Sequence, residues 1–240
     1  KVVLRVRGNF HATLRLRGIV YDQYSDKYWT VNRRSKRHLL VTKKGKHRPQ
    51  PRLSVEYVSG EQSRYFIPLN SSYLTTPNER IQINDTGIAF PLEDETPDII
   101  EFSIHSSKAL VVARPRKIDV AVPKKLRAPL KKLALQWTKG SQSNLQKLLA
   151  LTNHLKREYR YSLSFKRPRK KDPLLDFLLT NKQGHCEYFA SSLALLARTL
   201  RIPTRTAAGY LVSEYNPLGK YYIARERNAH AWVEAWIPGK

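Results

Sequence analysis

Methionine is absent from these 240 residues, and cysteine occurs once, at Cys186. A single thiol excludes an internal disulfide and any metal site assembled from several cysteines. It leaves the compartment open, because a chain without disulfides is compatible with any of them. No apolar run approaches the roughly 18 residues that a membrane-crossing helix needs. The first residues also lack a leader pattern of positive charge followed by an apolar stretch. Acidic residues are scarce: 19 Asp and Glu stand against 44 Lys and Arg, a formal charge of +25. With no methionine at its start and an end at Ile237-Pro238-Gly239-Lys240, straight after a strand-like run, the chain reads as a piece of something longer, with room for a membrane anchor outside it.

Hydrophobic residues make up 41% of the chain, with 14 Pro and 10 Gly. That balance is ordinary for one large or two modest domains. The positive charge is denser in the second half, where residues 121–240 hold 23 basic and 7 acidic residues. Such a field draws in anionic partners and makes their binding salt-sensitive. Anionic lipid, an acidic cell-envelope polymer and nucleic acid all answer to that description. Nucleic acid answers least well, since the basic residues are not interleaved with aromatics and no DNA- or RNA-binding motif occurs. The cluster Lys166, Arg167, Arg169, Lys170 and Lys171 is most simply a solvated loop.

Residues 1–122 read as a β-rich domain. Strand patterns cover Val2–Arg7, Ala12–Arg17, Leu53–Val58, Arg64–Ile67, Arg80–Asn84 and Ile99–His105, separated by turn-type residues. Tyr21, Tyr24, Tyr28 and Trp29 cluster around a turn at Ser25-Asp26. The basic, Gly- and Pro-containing stretch 33–52 reads as an exposed loop. Near Pro123 the pattern turns helical. A helix is predicted over Lys125–Thr138, with Pro129 early in it. Ser143-Asn144-Leu145-Gln146 matches a capping box, and Leu145, Leu148, Leu149, Thr152 and Leu155 mark one face of the helix that follows, to about Tyr159. Asp172-Pro173 reads as N-cap and first position of a short helix through Leu179. After the helix that begins at Cys186, the period shifts to strands at Thr204–Val212, Tyr221–Arg225 and Ala229–Ile237. Residues 123–240 are therefore α+β, helices followed by antiparallel sheet.

The chemistry points to Cys186. Gly184 stands two residues before it, and Phe189, Leu193, Leu196, Ala197 and Leu200 recur at helical spacing after it, which predicts one buried face. A cysteine in the first turn sits among unpaired N–H groups at the positive end of the helix dipole. That setting stabilises a thiolate, the nucleophilic form. Thiol acyl transfer also needs an imidazole to take the sulfur's proton and deliver it to the leaving group. His230 lies 44 positions later, in the alternating run Ala229-His230-Ala231-Trp232-Val233-Glu234, where His230, Trp232 and Glu234 share one strand face.

These blocks carry a resemblance. Gly184-His185-Cys186-Glu187-Tyr188-Phe189-Ala190, Arg201-Ile202-Pro203-Thr204-Arg205, Gly209-Tyr210 and Ala229-His230-Ala231-Trp232-Val233-Glu234 resemble the transglutaminase-like superfamily, and more narrowly its membrane-anchored bacterial branch. Tyr159-Arg160-Tyr161-Ser162 and Asp172-Pro173-Leu174 resemble the lead-in to the cysteine helix there. Arg17-Gly18, Tyr21-Asp22-Gln23-Tyr24 and Tyr28-Trp29 resemble the β-rich segment before the core. The resemblance implies a papain-like core with a Cys-His-Asp triad, in which Cys186 is the nucleophile and His230 the base. It places the aspartate in the next strand, beyond residue 240. Glu234 is no obvious substitute, since it points to the same face as His230 but lies two pleat repeats, four residues, along the strand.

Other site candidates keep two readings. His185 is either structural or substrate-facing, Trp232 either packs the core or contacts substrate, and Tyr210 is a candidate for the wall of a cleft. Gly209 within a strand predicts a close backbone approach or a bulge. The remaining five histidines show no metal-site spacing, and the expected chemistry needs no metal or organic cofactor. The expected function is acyl transfer on protein glutamine or peptide amide groups through a cysteinyl thioester. An amine acceptor gives transglutamination, and water gives an amidase or peptidase. The alternative is a non-catalytic envelope-binding module on the same fold. The resembled branch implies a periplasmic segment of an integral membrane protein, beside an anionic membrane or envelope surface, with nucleic acid an unlikely partner.

Overall fold

The structure is a computed structural model, and it describes residues 1–10, 13–31, 37–41, 52–58, 63–69, 71–75, 80–92, 99–104, 114–164 and 172–238. Strands come first: β1 (Val2–Arg7), β2 (Leu14–Tyr21), β3 (Gln23–Ser25), β4 (Tyr28–Thr30), β5 (Arg37–Val41), β6 (Arg52–Tyr57), β7 (Ile67–Pro68), β8 (Ser71–Thr75), β9 (Arg80–Asn84), β10 (Ala89–Phe90) and β11 (Ile99–Ile104). Helices α1 (Lys124–Trp137) and α2 (Asn144–Glu158) follow, then β12 (Arg160–Tyr161), α3 (Pro173–Asp176), β13 (Gln183–Gly184) and α4 (Cys186–Thr199). The chain closes with β14 (Thr204–Val212), β15 (Glu214–Asn216), β16 (Tyr221–Arg225) and β17 (Ala229–Ala235). Among the described residues no helix is long and apolar enough to cross a membrane.

The α+β class expected from the sequence is the one observed. The compact units, however, interleave along the chain instead of meeting at one cut after residue 122. The first comprises Lys1–Val20, Arg34–Ala113 and Ala208–His230, and the second Tyr21–Arg33, Arg114–Ala207 and Ala231–Lys240.

The first unit is built on a six-stranded sheet of order β15-β16-β1-β6-β11-β8. Alternation in β1 sends Leu4 and Val6 inward, opposite Tyr57 and Val55 of β6. The outward Arg5 meets Glu56 across the same pair at 2.9 Å. Late strands complete the sheet, because β16 pairs antiparallel with β1. The stretch 33–52, expected as a loop, contains a strand: β5 pairs with β9 along its whole length, from Arg37↔Asn84 to Val41↔Arg80. The strand expected at Arg64–Ile67 shrinks to β7, because Phe66 N–H donates to the Tyr57 hydroxyl and Tyr65 N–H to the Ala89 carbonyl instead of to a ladder.

In the second unit α4 packs against α1 and α2. Pro129 sits inside α1 as its sixth residue. Ser143 and Gln146 form the expected reciprocal cap, with Gln146 N–H donating to Ser143 Oγ at 3.2 Å and Ser143 N–H to Gln146 Oε1 at 3.0 Å. The expected face of α2 needs correction: Leu148, Leu151 and Leu155 are buried, while Leu145 and Leu149 are exposed. At 3.6 residues per turn the buried three fall on one stripe, and Leu145 and Leu149 lie well round from it. The single buried face expected for α4 is exceeded as well. Ala190, Ser191, Ser192, Ala194, Leu195, Leu196, Ala197 and Arg198 are all buried, because small residues let neighbours approach from several sides. Trp29 Nε1, from the β3–β4 hairpin around the predicted turn, donates to Ser191 Oγ at 2.8 Å.

Arg198 holds this unit together from inside. It is 1% exposed, and its guanidinium donates to the carbonyls of Ala121 at 3.0 Å, Asp22 at 2.9 Å and Thr204 at 2.7 Å. The indole of Trp29 covers it. Burial lowers its pKa to about 10, so it stays cationic at neutral pH. Nearby, Arg116 pairs with Asp22, and Arg205 with Asp119 at 2.8 Å.

Candidate active site

The approach to Cys186 is built from short-range hydrogen bonds. Asp172 caps α3 by accepting the N–H groups of Leu174 and Leu175. The helix then widens into a π-helical turn, Phe177–Asn181, which extends past the Leu179 expected as its end, and it stops at Lys182 in the left-handed region, φ 50°. There the chain pairs in parallel with β12. Arg160 N–H donates to the Lys182 carbonyl at 2.8 Å, and Ser162 N–H to the Gly184 carbonyl at 2.9 Å. Gly184 is buried, and a Cβ there would meet Tyr188 at 3.1 Å and Phe177 at 3.2 Å. Glycine is the residue that lets the chain pass under those rings.

His185 occupies the N-cap of α4 in extended conformation without capping through its side chain. Its carbonyl accepts from Tyr188 and Phe189 N–H, and its ring stands edge-on to Tyr188, 5.1 Å between centroids. Cys186 is thus the first helical residue, a free, partly buried thiol. Its backbone N–H is one of the first-turn donors that the helix itself leaves unused.

The sequence reading missed one residue beside this approach. Tyr161 stands directly across the parallel pair from Gly184, its ring 6.2 Å from that of Phe189. Burial raises the Tyr161 pKa, and the nearby Cys186 adds to that. The only signal in the sequence was the Tyr159-Arg160-Tyr161-Ser162 block. A two-residue parallel pairing leaves no periodicity to read.

His230 lies in the first unit, as the second residue of β17, and is partly buried. Burial, and then the positive charge of Arg15, hold its pKa below the usual imidazole value. The neutral imidazole, the form able to accept a proton, is therefore favoured. Tyr210 belongs to the same unit, its ring edge-on to Phe66 at 5.0 Å. Beside it, Gly209 fulfils the close-approach expectation, since a Cβ there would meet the Leu16 carbonyl oxygen at 1.9 Å. In the second unit Trp232 and Glu234 share a face as expected, with Trp232 Nε1 donating to Glu234 Oε1 at 3.3 Å. Past the end of β17, Trp236 N–H donates to the Pro203 carbonyl at 3.0 Å. Among the described residues no group of three His, Cys, Asp or Glu side chains is placed to hold a metal. The basic cluster at 166–171 lies outside the described residues.

A cysteine opening a buried helix, entered through a glycine and followed by a strand that carries a histidine, defines a class. Residues 131–240, somewhat under half of the chain, match the family model described as Transglutaminase-like superfamily. The relatives are bacterial. A protein-glutamine gamma-glutamyltransferase of Pseudomonas aeruginosa is 42% identical over 67 residues, 28% of this chain and 10% of that protein. The uncharacterized protein YebA of Bacillus subtilis is 30% identical over 124 residues, 49% of this chain and 17% of that protein. The chain thus matches less than a fifth of the length of either relative. Two crystal structures of the periplasmic domain of TgpA from Pseudomonas aeruginosa superpose with a TM-score of 0.75 at 22% identity, each covering 99% of this chain and 86% or 84% of theirs. That likeness establishes the fold.

Proposed function

We propose that the chain is the catalytic part of a thiol acyltransferase, with Cys186 as nucleophile and His230 as base. The observation that carries the reading is the placement of a free, partly open thiol as the first residue of α4, where unused N–H groups gather. In the first step the thiol proton passes to His230 and Sγ adds to the carbonyl carbon of a glutamine side chain or peptide amide. The oxygen carries the displaced electron pair as an oxyanion, held by the Cys186 backbone N–H. As it collapses, the C–N bond breaks and the departing amine takes the proton from the imidazolium, leaving a thioester. An incoming primary amine attacks the thioester and gives its proton to His230, and the C–S bond breaks to release the Cys186 thiolate and leave an isopeptide bond; water in its place gives a carboxylic acid. No metal or organic cofactor enters these steps.

The superfamily match and the relative described as a protein-glutamine gamma-glutamyltransferase support glutamine as the acyl donor. The fold shared with a periplasmic domain supports an extracytoplasmic position, and a membrane anchor and the triad aspartate belong to the full-length protein in this reading. In that protein, amine incorporation into a glutamine peptide is expected, together with a peptide-thioester adduct at Cys186 detectable by mass spectrometry. Cys186→Ala should abolish both, by about 10³-fold or more. Incorporation that survives Cys186→Ala sinks the proposal, and wild-type protein that binds the peptide without forming a thioester points to the binding-module alternative.

The charge of +25 supports an anionic membrane surface as neighbour. Residues 124–158 carry nine basic and one acidic residue, and Leu135, Leu145 and Leu149 are exposed within that segment, a mixture that suits lipid better than a purely ionic polymer. Sedimentation with phosphatidylglycerol vesicles should exceed that with neutral vesicles and weaken with salt. Equal binding to both, or preference for duplex DNA, would remove this part.

A further inference from the structure

The segment 160–164 is fastened along the residues that lead into Cys186. Arg160 N–H donates to the Lys182 carbonyl at 2.8 Å and Ser162 N–H to the Gly184 carbonyl at 2.9 Å. Gln183 Nε2 reaches further along and donates to the Ser164 carbonyl at 3.2 Å. Successive residues of an extended strand direct their N–H and C=O groups to opposite edges. Tyr161, between the two backbone donors, therefore turns both of its groups away from β13, and among the described residues neither meets a backbone partner. The side chains along this edge are apolar and open. Tyr161 is 54% exposed and Leu163 79%, and the Tyr161 ring lies 6.2 Å from that of Phe189, one turn past Cys186 on α4. A lone exposed leucine is ordinary on a protein surface. Leu163 differs in standing beside an open backbone edge next to the nucleophile. Tyr161 is opposite Gly184, two residues before Cys186, a span of about 7 Å in extended chain.

We propose that the outer edge of β12 docks the glutamine-bearing segment of the substrate in extended form, with an apolar side chain of that segment on Tyr161, Leu163 and Phe189. This deepens the acyl-transfer reading above and rests on it. One substrate residue opposite Tyr161 takes both of its open backbone groups, as in a hydrogen-bonded antiparallel pair. Its side chain then falls beside the Tyr161 ring, and Leu163 and Phe189 widen the apolar surface it covers. Because β12 and β13 run in parallel toward Cys186, a substrate running antiparallel to them passes the thiol before it reaches Tyr161. The apolar residue therefore follows the glutamine by about two positions. The donor class this edge selects is a glutamine in an extended stretch, with Leu, Phe or a similar residue after it. A glutamine within a helix is a poor donor here, since the N–H groups around it are already used.

Two glutamine peptides that differ only at the second position after the glutamine, Leu in one and Ser in the other, test this in the full-length protein. For amine incorporation kcat/KM should favour the Leu peptide by about 10-fold, the effect of covering much of one leucine side chain. Leu163→Ser changes an exposed side chain, so the melting temperature should stay close to wild type. It should cut the Leu/Ser ratio to about 3-fold or less, a coupling between variant and peptide that a merely structural role would not produce. Methylating the backbone nitrogen of the Leu in the peptide blocks its N–H and should lower kcat/KM by about 10-fold. Equal rates for the two peptides, a ratio that Leu163→Ser leaves unchanged, or an N-methylated peptide as good as its parent overturns the proposal. If the wild-type protein transfers no acyl group, the earlier reading has failed, and binding of the same peptides, fluorescently labelled, to Cys186→Ala protein decides. Tighter binding of the Leu peptide that Leu163→Ser weakens supports the docking edge; equal binding of both peptides, or a preference that Leu163→Ser leaves intact, overturns it.

Discussion

In the first unit the fully buried polar side chains are neutral and few, Ser71, Asn84 and Thr86 among the described residues. Asn84 accounts for its own burial by accepting the N–H groups of Thr86 and Ile88 in the turn between β9 and β10. The second unit buries Asp22, Asp119 and Arg198. The difference follows from how backbone carbonyls are satisfied. In a six-stranded ladder the carbonyls find partners in the next strand, and the side chains are free to be apolar. Where a helix end, a hairpin and an extended segment converge, three carbonyls point at one spot with no ladder to meet them. A guanidinium with five fixed donors can serve them all.

Conservative substitutions are the way to break that contrast. Arg198→Met should destabilise the chain by about 3–5 kcal/mol in urea unfolding, because buried acceptors lose their donor. Arg198→Lys should cost nearly as much, since one ammonium cannot span three carbonyls. Leu4→Met in the sheet core should cost less than about 1.5 kcal/mol, as volume-conserving apolar swaps do. If Arg198→Lys is as mild as Leu4→Met, charge alone matters at position 198 and the carbonyl argument fails.

A finer comparison concerns the surroundings of the two reacting groups. Cys186 has the phenol of Tyr161 nearby in the second unit, whereas His230 shares its unit with the cation Arg15. The folded-state pKa of His230 lies below its unfolded value, so its contribution to stability is present above the unfolded pKa. It is lost as pH falls from the usual imidazole value toward the depressed one. Arg15→Gln removes the smaller of the two causes. The His230 titration midpoint, read by NMR, should therefore move up slightly, and less so in high salt. An unmoved midpoint would mean that burial alone sets it.

Much of this was legible because it is local. The Ser143 cap, the Asp172-Pro173 helix start and the bounds of β14 each depend on residues within one element. The α+β class followed from the change of period near Pro123. What escaped depends on long-range partners. β5 is basic at its start and needs β9 to become a strand, and Arg198 reads as a surface residue until Asp22, Ala121 and Thr204 surround it. Tyr161 is brought opposite Gly184 only through a parallel pair spanning more than twenty residues. Trp232 hydrogen-bonds Glu234, and His185 packs on Tyr188 without acting as a side-chain cap.

The pairing of β1 with β16 has a consequence for biosynthesis. Strand β1 is flanked on one side by residues 221–225, made more than 200 residues after it. As the chain emerges from the ribosome at about 5–20 residues per second, β1 waits on the order of ten seconds or more for that partner. Through this interval one of its edges offers unpaired N–H and C=O groups to any passing strand. The charged residues that alternate along it, Arg5 and Arg7, act as guards during that wait, because like charges make the exposed edge a poor template for a second copy.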